Sequence, residues 1–149
     1  MYIYGMSTCP FCDLKNNERN HILQEYEYTV LLMANLRKVP GQLLVIPKRH
    51  LERFSELSQN ERDEIFDIIA NVEKRLINHY KAGYEITQRY KPYLEKDDFA
   101  VRHLHFHVLP RQKDDVLEEQ RVQEHQLHSS ATKEEVEELQ SIFKTRSES

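Results

Sequence analysis

Apolar positions in the first 111 residues fall into short clusters separated by turns, which predicts several short strands. Residues 26–33 and 43–46 are rich in aliphatic and β-branched side chains, and Pro40-Gly41 marks a turn between them. We therefore expect two neighbouring antiparallel strands. Further strands are predicted over residues 84–90 and 99–109, and a short one over residues 1–4.

One stretch shows helical periodicity instead. Ser58 and Glu61 form a capping-box pattern, in which each side chain can bind a backbone N–H group at the start of a helix. The apolar side chains that follow recur at spacings of three and four and form one stripe: Ile65, Ile68, Ile69, Val72 and Leu76. This amphipathic helix is predicted to end near Lys81, with Gly83 as its C-terminal cap.

Beyond residue 111 the chain becomes highly charged and has few apolar positions. Thr132 and Glu135 repeat the capping-box pattern before a short apolar stripe, which predicts a helix. The 149 residues are enough for one domain with a single core. We therefore expect residues 1–111 to form the domain and residues 112–149 to be its charged, helical C-terminal extension.

Three histidines, His103, His105 and His107, occupy every second position of the last predicted strand. Alternate side chains of a strand share one face and lie about 7 Å apart. Each buried imidazole needs partners for two ring nitrogens, so three on one face favour chemistry over simple packing. A neutral imidazole can act as a nucleophile while a protonated neighbour stabilises a phosphoryl group. This pattern predicts nucleotidyl or phosphoryl transfer without a catalytic metal.

The composition of the chain limits the kinds of partner that we expect it to bind. The formal charge is -4 and 39% of the residues are hydrophobic, so a basic surface for nucleic acid is not expected. No apolar run is long enough to span a membrane, and no secretory signal pattern precedes the first cysteine. We expect a cytoplasmic protein without nucleic-acid or membrane partners. A local field at the site can still attract a phosphorylated ligand.

Cys9 and Cys12 are the two cysteines of the chain. In an intracellular protein, this spacing indicates metal binding or redox chemistry before it indicates a structural disulfide. The pair suits one side of a tetrahedral zinc site. The stretch Thr8-Cys-Pro-Phe-Cys12 also resembles the active site of glutaredoxins, so a thiol oxidoreductase that uses these cysteines is an alternative. That alternative leaves the three histidines unexplained.

The segment His103-Leu-His-Phe-His-Val-Leu109 resembles the signature of the histidine-triad family, in which histidines alternate with apolar residues. Gly41-Gln-Leu-Leu-Val-Ile-Pro-Lys-Arg-His50 resembles the preceding strand of that family, and the helix after Ser58 has the expected place. The similarity covers residues 9–111 and resembles the zinc-containing microbial type. It implies an antiparallel α+β fold, a purine nucleotide substrate and a homodimer.

The resemblance also implies roles for the three histidines. His105 would attack the α-phosphate and form a nucleotidyl-histidine intermediate, and His107 would contact the phosphate and assist the leaving group. His103 would orient the site or bind a metal. The implied activity is that of a nucleotide hydrolase or nucleotidyltransferase. Its substrate would be a purine dinucleotide, such as a diadenosine polyphosphate, or a nucleoside phosphoramidate.

Some relatives with a similar pair of cysteines complete a zinc site with two histidines. The matching positions in this chain are His50 and His103. The resemblance therefore implies a closed structural zinc site made by Cys9, Cys12, His50 and His103. No redox cofactor is expected.

Several positions depart from the family pattern. Phe99 and Ala100 stand where polar residues are usual, and Gln42 stands where a histidine is usual. Asn35 is the residue available to contact the ribose, and Arg89 is placed to contact phosphate. A zinc- and nucleotide-binding module without turnover is therefore a second hypothesis.

Overall fold

The computed structural model describes residues 9–16, 21–34, 36–94 and 101–144, and it confirms the α+β class. Within these residues, five antiparallel strands form one sheet in the order β1-β2-β3-β5-β4. The strands are β1 (His21–Glu25), β2 (Thr29–Met33), β3 (Leu43–Pro47), β4 (Gly83–Thr87) and β5 (Phe106–Arg111). The helices are α1 (Gln59–Tyr80), α2 (Val116–Glu124) and α3 (Lys133–Lys144), and short 3-10 turns occupy Leu14–Asn16, Phe54–Glu56 and His125–Leu127.

The sheet is organised around β3 and β5. The register of the β2–β3 pair aligns Thr29 with Pro47 and Met33 with Leu43. On β5, His107 lies between Leu44 of β3 and Thr87 of β4. The last histidine of the triplet is therefore held by hydrogen-bonded strands on both sides.

Helix α1 begins and ends close to the positions that its sequence predicts. Ser58 is the N-cap, its side chain accepts a hydrogen bond from the Glu61 N–H, and the Glu61 carboxylate accepts one from the Ser58 N–H. The predicted cap at Gly83 is wrong, because Lys81 itself adopts the left-handed conformation at φ 51° and Gly83 already begins β4. The predicted apolar stripe is buried in the structure.

The two faces of the sheet bury different clusters of apolar side chains. Leu31 of β2 belongs to a cluster with the apolar stripe of α1 and with Phe106 and Val108 of β5. Its neighbours Val30 and Leu32 belong to the other cluster, against which Phe11 and Leu14 pack. Adjacent strand residues point to opposite faces, so this division follows from the pleat. Helix α1 therefore covers one face, and the turn that carries the cysteines packs against the other.

The strand boundaries differ from the predictions in two places. Residues 26–28 precede β2, whose first residue is Thr29. Strand β1, His21–Glu25, was not predicted, because it is exposed along its whole length and carries no alternating apolar signal. Its position at the edge of the sheet explains this composition. The strand predicted over residues 1–4 lies outside the described residues.

The strand predicted over residues 99–109 is wrong in its first half, because β5 begins only at Phe106. His103 and His105 precede β5, and residues 99 and 100 lie outside the described part of the chain. The backbone leaves the sheet at Leu104, whose N–H donates instead to the Leu51 carbonyl at 2.6 Å. As a result, the rings of His105 and His107 approach to 4.9 Å between centroids, closer than flat strand spacing predicts.

Gly41 occupies a position that no other residue type fits well. Its φ is +81°, and a β-carbon would lie 2.7 Å from the ring of Tyr80. We expect Gly41→Ala to destabilise the protein by about 2–4 kcal/mol, because it combines a left-handed backbone with overpacking. Chemical denaturation measures this loss. Gly83→Ala is the matched control, since a β-carbon there would lie at an ordinary contact distance, 3.7 Å, from the Arg111 carbonyl oxygen. Equal stability of the two variants would contradict the prediction.

Glu61 ties the start of α1 to the loop after β3. It is 4% exposed, and its carboxylate lies 2.7 Å from Arg49, the residue before His50. Burial opposes ionisation, but the bonds from Arg49 and Ser58 outweigh it and lower the pKa of Glu61. A lowered pKa means that the charged form stabilises the fold above the unfolded pKa of about 4.5, and that this contribution is lost as the pH falls through the folded pKa.

We therefore expect Glu61→Gln to reduce stability at pH 7 and to lose little further stability below pH 4. Glutamine keeps the capping box, so the comparison isolates the charge. Urea unfolding of both proteins across this pH range measures the effect. A stability difference that stays constant with pH would contradict it.

Residues 117–149 form a compact unit separate from residues 1–116. In it, Thr132 and Glu135 form the predicted capping box at the start of α3, with hydrogen bonds of 2.7 and 3.2 Å. The apolar residues of α3 are exposed: Val136, Leu139, Ile142 and Phe143. The helical character of the C-terminal extension is confirmed, and its assignment to the same domain as residues 1–111 stays a prediction. Among the described helices, none combines the length and the apolarity needed to span a membrane.

Candidate active site and metal centre

Three parts of the chain meet at the histidines. The loop after β3 carries His50, the segment before β5 carries His103 and His105, and the turn that precedes the 3-10 turn Leu14–Asn16 carries Cys9 and Cys12. The turn is closed by a hydrogen bond from the Cys12 N–H to the Cys9 carbonyl at 3.2 Å. Segments far apart in the sequence thus place their ionisable side chains at one site.

His105 is held in a single tautomer. Its Nδ1–H donates to the His103 carbonyl at 2.6 Å, because a carbonyl can only accept. Burial lowers the pKa of His105, and the bond to His103 offsets part of this effect. The ring is therefore neutral at pH 7 and leaves Nε2 with a free electron pair, which is the form a nucleophilic histidine needs.

His107 makes a different contact. Gln42, which is 2% exposed, lies with its Nε2 atom 2.9 Å from His107 Nδ1, and its Oε1 atom accepts the Lys38 N–H at 2.7 Å. Burial, followed by the charges of His105, Arg89 and Lys38, lowers the pKa of His107 to about 4. His107 is therefore also neutral at pH 7.

His103 contacts both His105 and the two cysteines. It is 1% exposed, its Nε2–H donates to the Pro47 carbonyl at 2.7 Å, and its own carbonyl accepts from His105. With the proton on Nε2, the Nδ1 atom carries an electron pair. Burial, followed by the neighbouring His50 and His105, lowers the pKa of His103 and favours this neutral form.

The Nδ1 electron pair of His103 faces a cluster of three further ligand atoms. It lies 3.4 Å from Cys9 Sγ and 3.6 Å from Cys12 Sγ. The Nδ1 atom of His50 lies 3.1 Å from Cys12 Sγ and 3.2 Å from His103 Nδ1. All four ligand atoms lie within 4.8 Å of one another, so the predicted metal-binding residues come together and could hold a metal ion.

These distances fit a tetrahedral ion. With Zn–S bonds of about 2.3 Å and Zn–N bonds of about 2.0–2.1 Å, ideal ligands lie about 3.4–3.8 Å apart. The four contacts span 3.1–3.6 Å. A cation among these four atoms would bind the Nδ1 electron pair of His103 together with the other three ligand atoms.

Phe11 packs against both His103 and His105 and was not identified from the sequence. Its ring packs edge-on against His103 at 5.9 Å and against His105 at 5.2 Å between centroids. Because Phe11 stands between the two cysteines, the ligands that hold this turn also hold the aromatic ring against His105.

A cleft opens beside the histidines. It contains about 750 Å³ of space, part of it open to solvent, and is lined by His103, His105 and His107. Its described walls include three cationic side chains, Arg89, Lys91 and Arg102, and a single carboxylate, Glu52. A protein with a net charge of -4 thus has a locally positive cleft, which suits a phosphorylated ligand.

The wall of the cleft is held by Arg102. Its Nη2 atom donates to the carbonyls of Pro92 at 2.7 Å and Leu94 at 3.2 Å, which fixes the turn that follows Arg89. Arg89, which was predicted to contact phosphate, lines the cleft, and so do Arg102 and Lys91, which were not identified from the sequence. No short motif marks these two residues, because their positions depend on the path of the loop. Asn35, the predicted ribose contact, lies outside the described residues.

Comparisons with known proteins agree with this fold. A model of the HIT domain matches residues 15–114. An uncharacterized HIT-like protein of Methanocaldococcus jannaschii is 30% identical over 108 residues, covering 72% of this chain and 81% of the relative. A HIT family protein of Bacillus subtilis superposes with a TM-score of 0.72 at 18% identity, covering 96% of this chain and 99% of that one.

The NitFhit protein of C. elegans superposes with a TM-score of 0.58 at 25% identity over 64% of this chain. This chain spans only 23% of that protein's length. Together, the five-stranded antiparallel sheet, the long helix α1 and the histidines beside the cleft define an α+β fold with a histidine-lined cleft. The chain belongs to the HIT-domain family.

Proposed function

We propose that the protein is a nucleotide hydrolase or nucleotidyltransferase that attacks the α-phosphate of a purine nucleotide through His105. The observation that carries this proposal is the 2.6 Å hydrogen bond from His105 Nδ1 to the His103 carbonyl. It leaves the Nε2 electron pair of a neutral ring beside a cationic cleft. The HIT domain supports nucleotide hydrolase or transferase chemistry at this position.

The reaction would occur in two steps. In the first, the Nε2 pair of His105 forms a bond to the α-phosphorus, and the bond to the leaving group breaks with its electron pair on the leaving atom. The positive charge that develops on His105 is stabilised by its Nδ1–H bond to His103. In the second, the oxygen of water or of another acceptor bonds to the same phosphorus, the P–N bond breaks and returns its electron pair to His105, and the proton of the attacking group is released to solvent.

Side chains around the cleft would bind the substrate. Arg89, Lys91 and Arg102 supply positive charge for the phosphates, and His107 directs its Nε2–H group to the same region. Asn35 stays the predicted ribose contact. The preference for a purine base follows from the family resemblance and not from a contact in the cleft.

Zinc is the metal that we propose for Cys9, Cys12, His50 and His103. Four protein ligands would fill a tetrahedral coordination shell and leave no open position, so the ion would be structural. Bound there, it would hold His103 and thereby the carbonyl that orients His105. No step of the reaction uses it.

Burial argues against the thiol oxidoreductase alternative. A redox cysteine needs a depressed pKa, and burial raises the pKa of the Cys9 thiol more than the N–H groups of Phe11 and Cys12 lower it. Neighbouring imidazoles at 3.1–3.6 Å fit metal coordination better.

The binding module without turnover differs from the enzyme only in the missing covalent step. The homodimer and the cytoplasmic location stay predictions.

The test is intact-mass spectrometry after a brief quench without acid. Wild-type protein is mixed with adenine and guanine dinucleotides and with nucleoside phosphoramidates. A mass increase of one nucleotidyl group, or product formation, supports the proposal. Saturable binding of these ligands without adduct or product would instead support the binding module.

A further inference from the structure

We propose that Gln42 is a positioning residue that holds His107 as a neutral hydrogen-bond donor and thereby directs the site to phosphoric anhydrides rather than phosphoramidates. This inference rests on the proposed nucleotidyl transfer to His105 and names its substrate class. The evidence for it is the pair of contacts that the buried side-chain amide of Gln42 makes.

The orientation of the Gln42 amide follows from its neighbours. The backbone N–H of Lys38 can only donate, so the atom 2.7 Å from it must be Oε1. The amide nitrogen then faces His107 Nδ1 at 2.9 Å. An amide NH₂ group can only donate, so Nδ1 must accept and carry an electron pair.

The tautomer of His107 is thereby determined. A neutral ring with an electron pair on Nδ1 carries its proton on Nε2, and this nitrogen is the one left to face the cleft. A second proton would have to enter at Nδ1, against the NH₂ group of Gln42. It would replace a hydrogen bond between buried groups by a contact between two donors.

The other groups that face His107 also oppose protonation. His105 lies beside it in the chain, Arg89 follows β4 on one side, and Lys38 precedes β3 on the other. These three neighbours are bases, and Glu52, the carboxylate among the described residues of the cleft, does not contribute to the shift. Burial, followed by their charges, holds the pKa of His107 at about 4, so the ring carries one proton at pH 7.

A neutral donor suits one kind of leaving group. When His105 attacks an anhydride, the P–O electron pair moves to a phosphate oxygen whose conjugate acid has a pKa of about 6. This oxygen departs as an anion and needs only the Nε2–H hydrogen bond and nearby positive charge. Arg89, Lys91 and Arg102 supply that charge in the cleft.

An amine leaving group has a different requirement. When the P–N bond of an alkyl phosphoramidate breaks, its electron pair moves to a nitrogen whose conjugate acid has a pKa of about 10. That nitrogen must take up a proton as the bond breaks. Neutral His107 would become an imidazolate if it gave up its proton, so it cannot supply one. Loss of general-acid catalysis costs about 10²–10⁴-fold in rate.

The first test reads the tautomer directly. In ¹⁵N NMR spectra of wild-type protein, we expect His107 to carry its proton on Nε2 throughout pH 5.5–8. In Gln42→Glu, one carboxylate oxygen can accept from Lys38 and the other from His107 Nδ1–H. The variant should therefore protonate His107 near neutral pH. A wild-type His107 that titrates near its ordinary pKa of about 6.5, or carries its proton on Nδ1, would overturn the proposal.

The second test compares substrates. For wild-type protein we expect kcat/KM for diadenosine triphosphate to exceed that for an alkylamine adenosine phosphoramidate by about 100-fold or more. Gln42→Glu should reduce this ratio at least tenfold by raising turnover of the phosphoramidate. Gln42→Leu is the matched control, since it removes the amide contact without offering an acceptor, and it should leave amine turnover low.

The outcomes separate the two proposals. Equal turnover of the two substrates by wild-type protein would overturn the role of Gln42 and leave the His105 mechanism intact. Absence of any His105 adduct or product with both substrates would contradict the proposed function itself. If Gln42→Glu does not fold, the wild-type NMR spectra and substrate ratio still decide the question.

Discussion

His105→Ala is expected to form no nucleotidyl adduct and to lose turnover by at least about 10⁴-fold. The Nε2 atom of His105 carries an electron pair, and the Nδ1–H bond to the His103 carbonyl fixes the tautomer that leaves this pair available for attack. Alanine removes the attacking atom, whereas the proposed substrate contacts from Arg89 and His107 are unchanged. Affinity for the nucleotide should therefore change much less than turnover.

Two measurements check this result: intact mass after rapid quenching and calorimetric titration of a nucleotide. His21→Ala is a matched control, because this exposed histidine lies on the edge strand β1. The control should form adduct at the wild-type rate. Persistence of an adduct in His105→Ala would assign the nucleophile to another residue and contradict the mechanism.

Cys9→Ser is expected to lose the bound metal and to lower the melting temperature by about 10 °C. The four-ligand cluster joins the turn of Cys9 and Cys12 to His50 and His103, segments up to 94 residues apart. Metal binding at such a site is coupled directly to folding, so a missing ligand costs at least about 3 kcal/mol. For a chain of this length, each kcal/mol corresponds to about 2–4 °C.

Elemental analysis and calorimetry test this prediction together. Wild-type protein should contain one zinc ion per chain, and a chelator should lower its melting temperature to that of the variant. The same chelator should leave Cys9→Ser unchanged. His128→Ala, an exposed histidine in the second unit, is the control and should keep its metal. Full metal content in Cys9→Ser would contradict the proposed ligand set.

The elements with strong local signals were predicted well. Helix α1 has a capping box at Ser58 and a regular apolar stripe, so its sequence alone specifies where it begins and which face it buries. Strand β3 is a continuous apolar run and was predicted to within one residue. Strand β1 and the start of β5 were not, since an exposed edge strand has no apolar pattern and the path at Leu104 depends on a bond to Leu51.

The residues of the candidate site also differ in how far the sequence alone revealed them. The alternation of His103, His105 and His107 indicates phosphoryl chemistry, and family resemblance added His50 to the two cysteines. Gln42 was visible only as a departure from the family pattern. Its contact with His107 spans 65 residues and could not be inferred from either segment alone.

The sequence by itself thus determined the α+β class and the long helix, because both follow from local spacing and recognisable motifs, and it supplied the proposals of histidine chemistry and of four metal ligands. Only the tertiary structure decided the tautomers of His105 and His107, the approach of the four ligand atoms and the positive charge of the cleft. These properties depend on the direction of hydrogen bonds and on burial. Both arise only when residues distant in the chain come into contact.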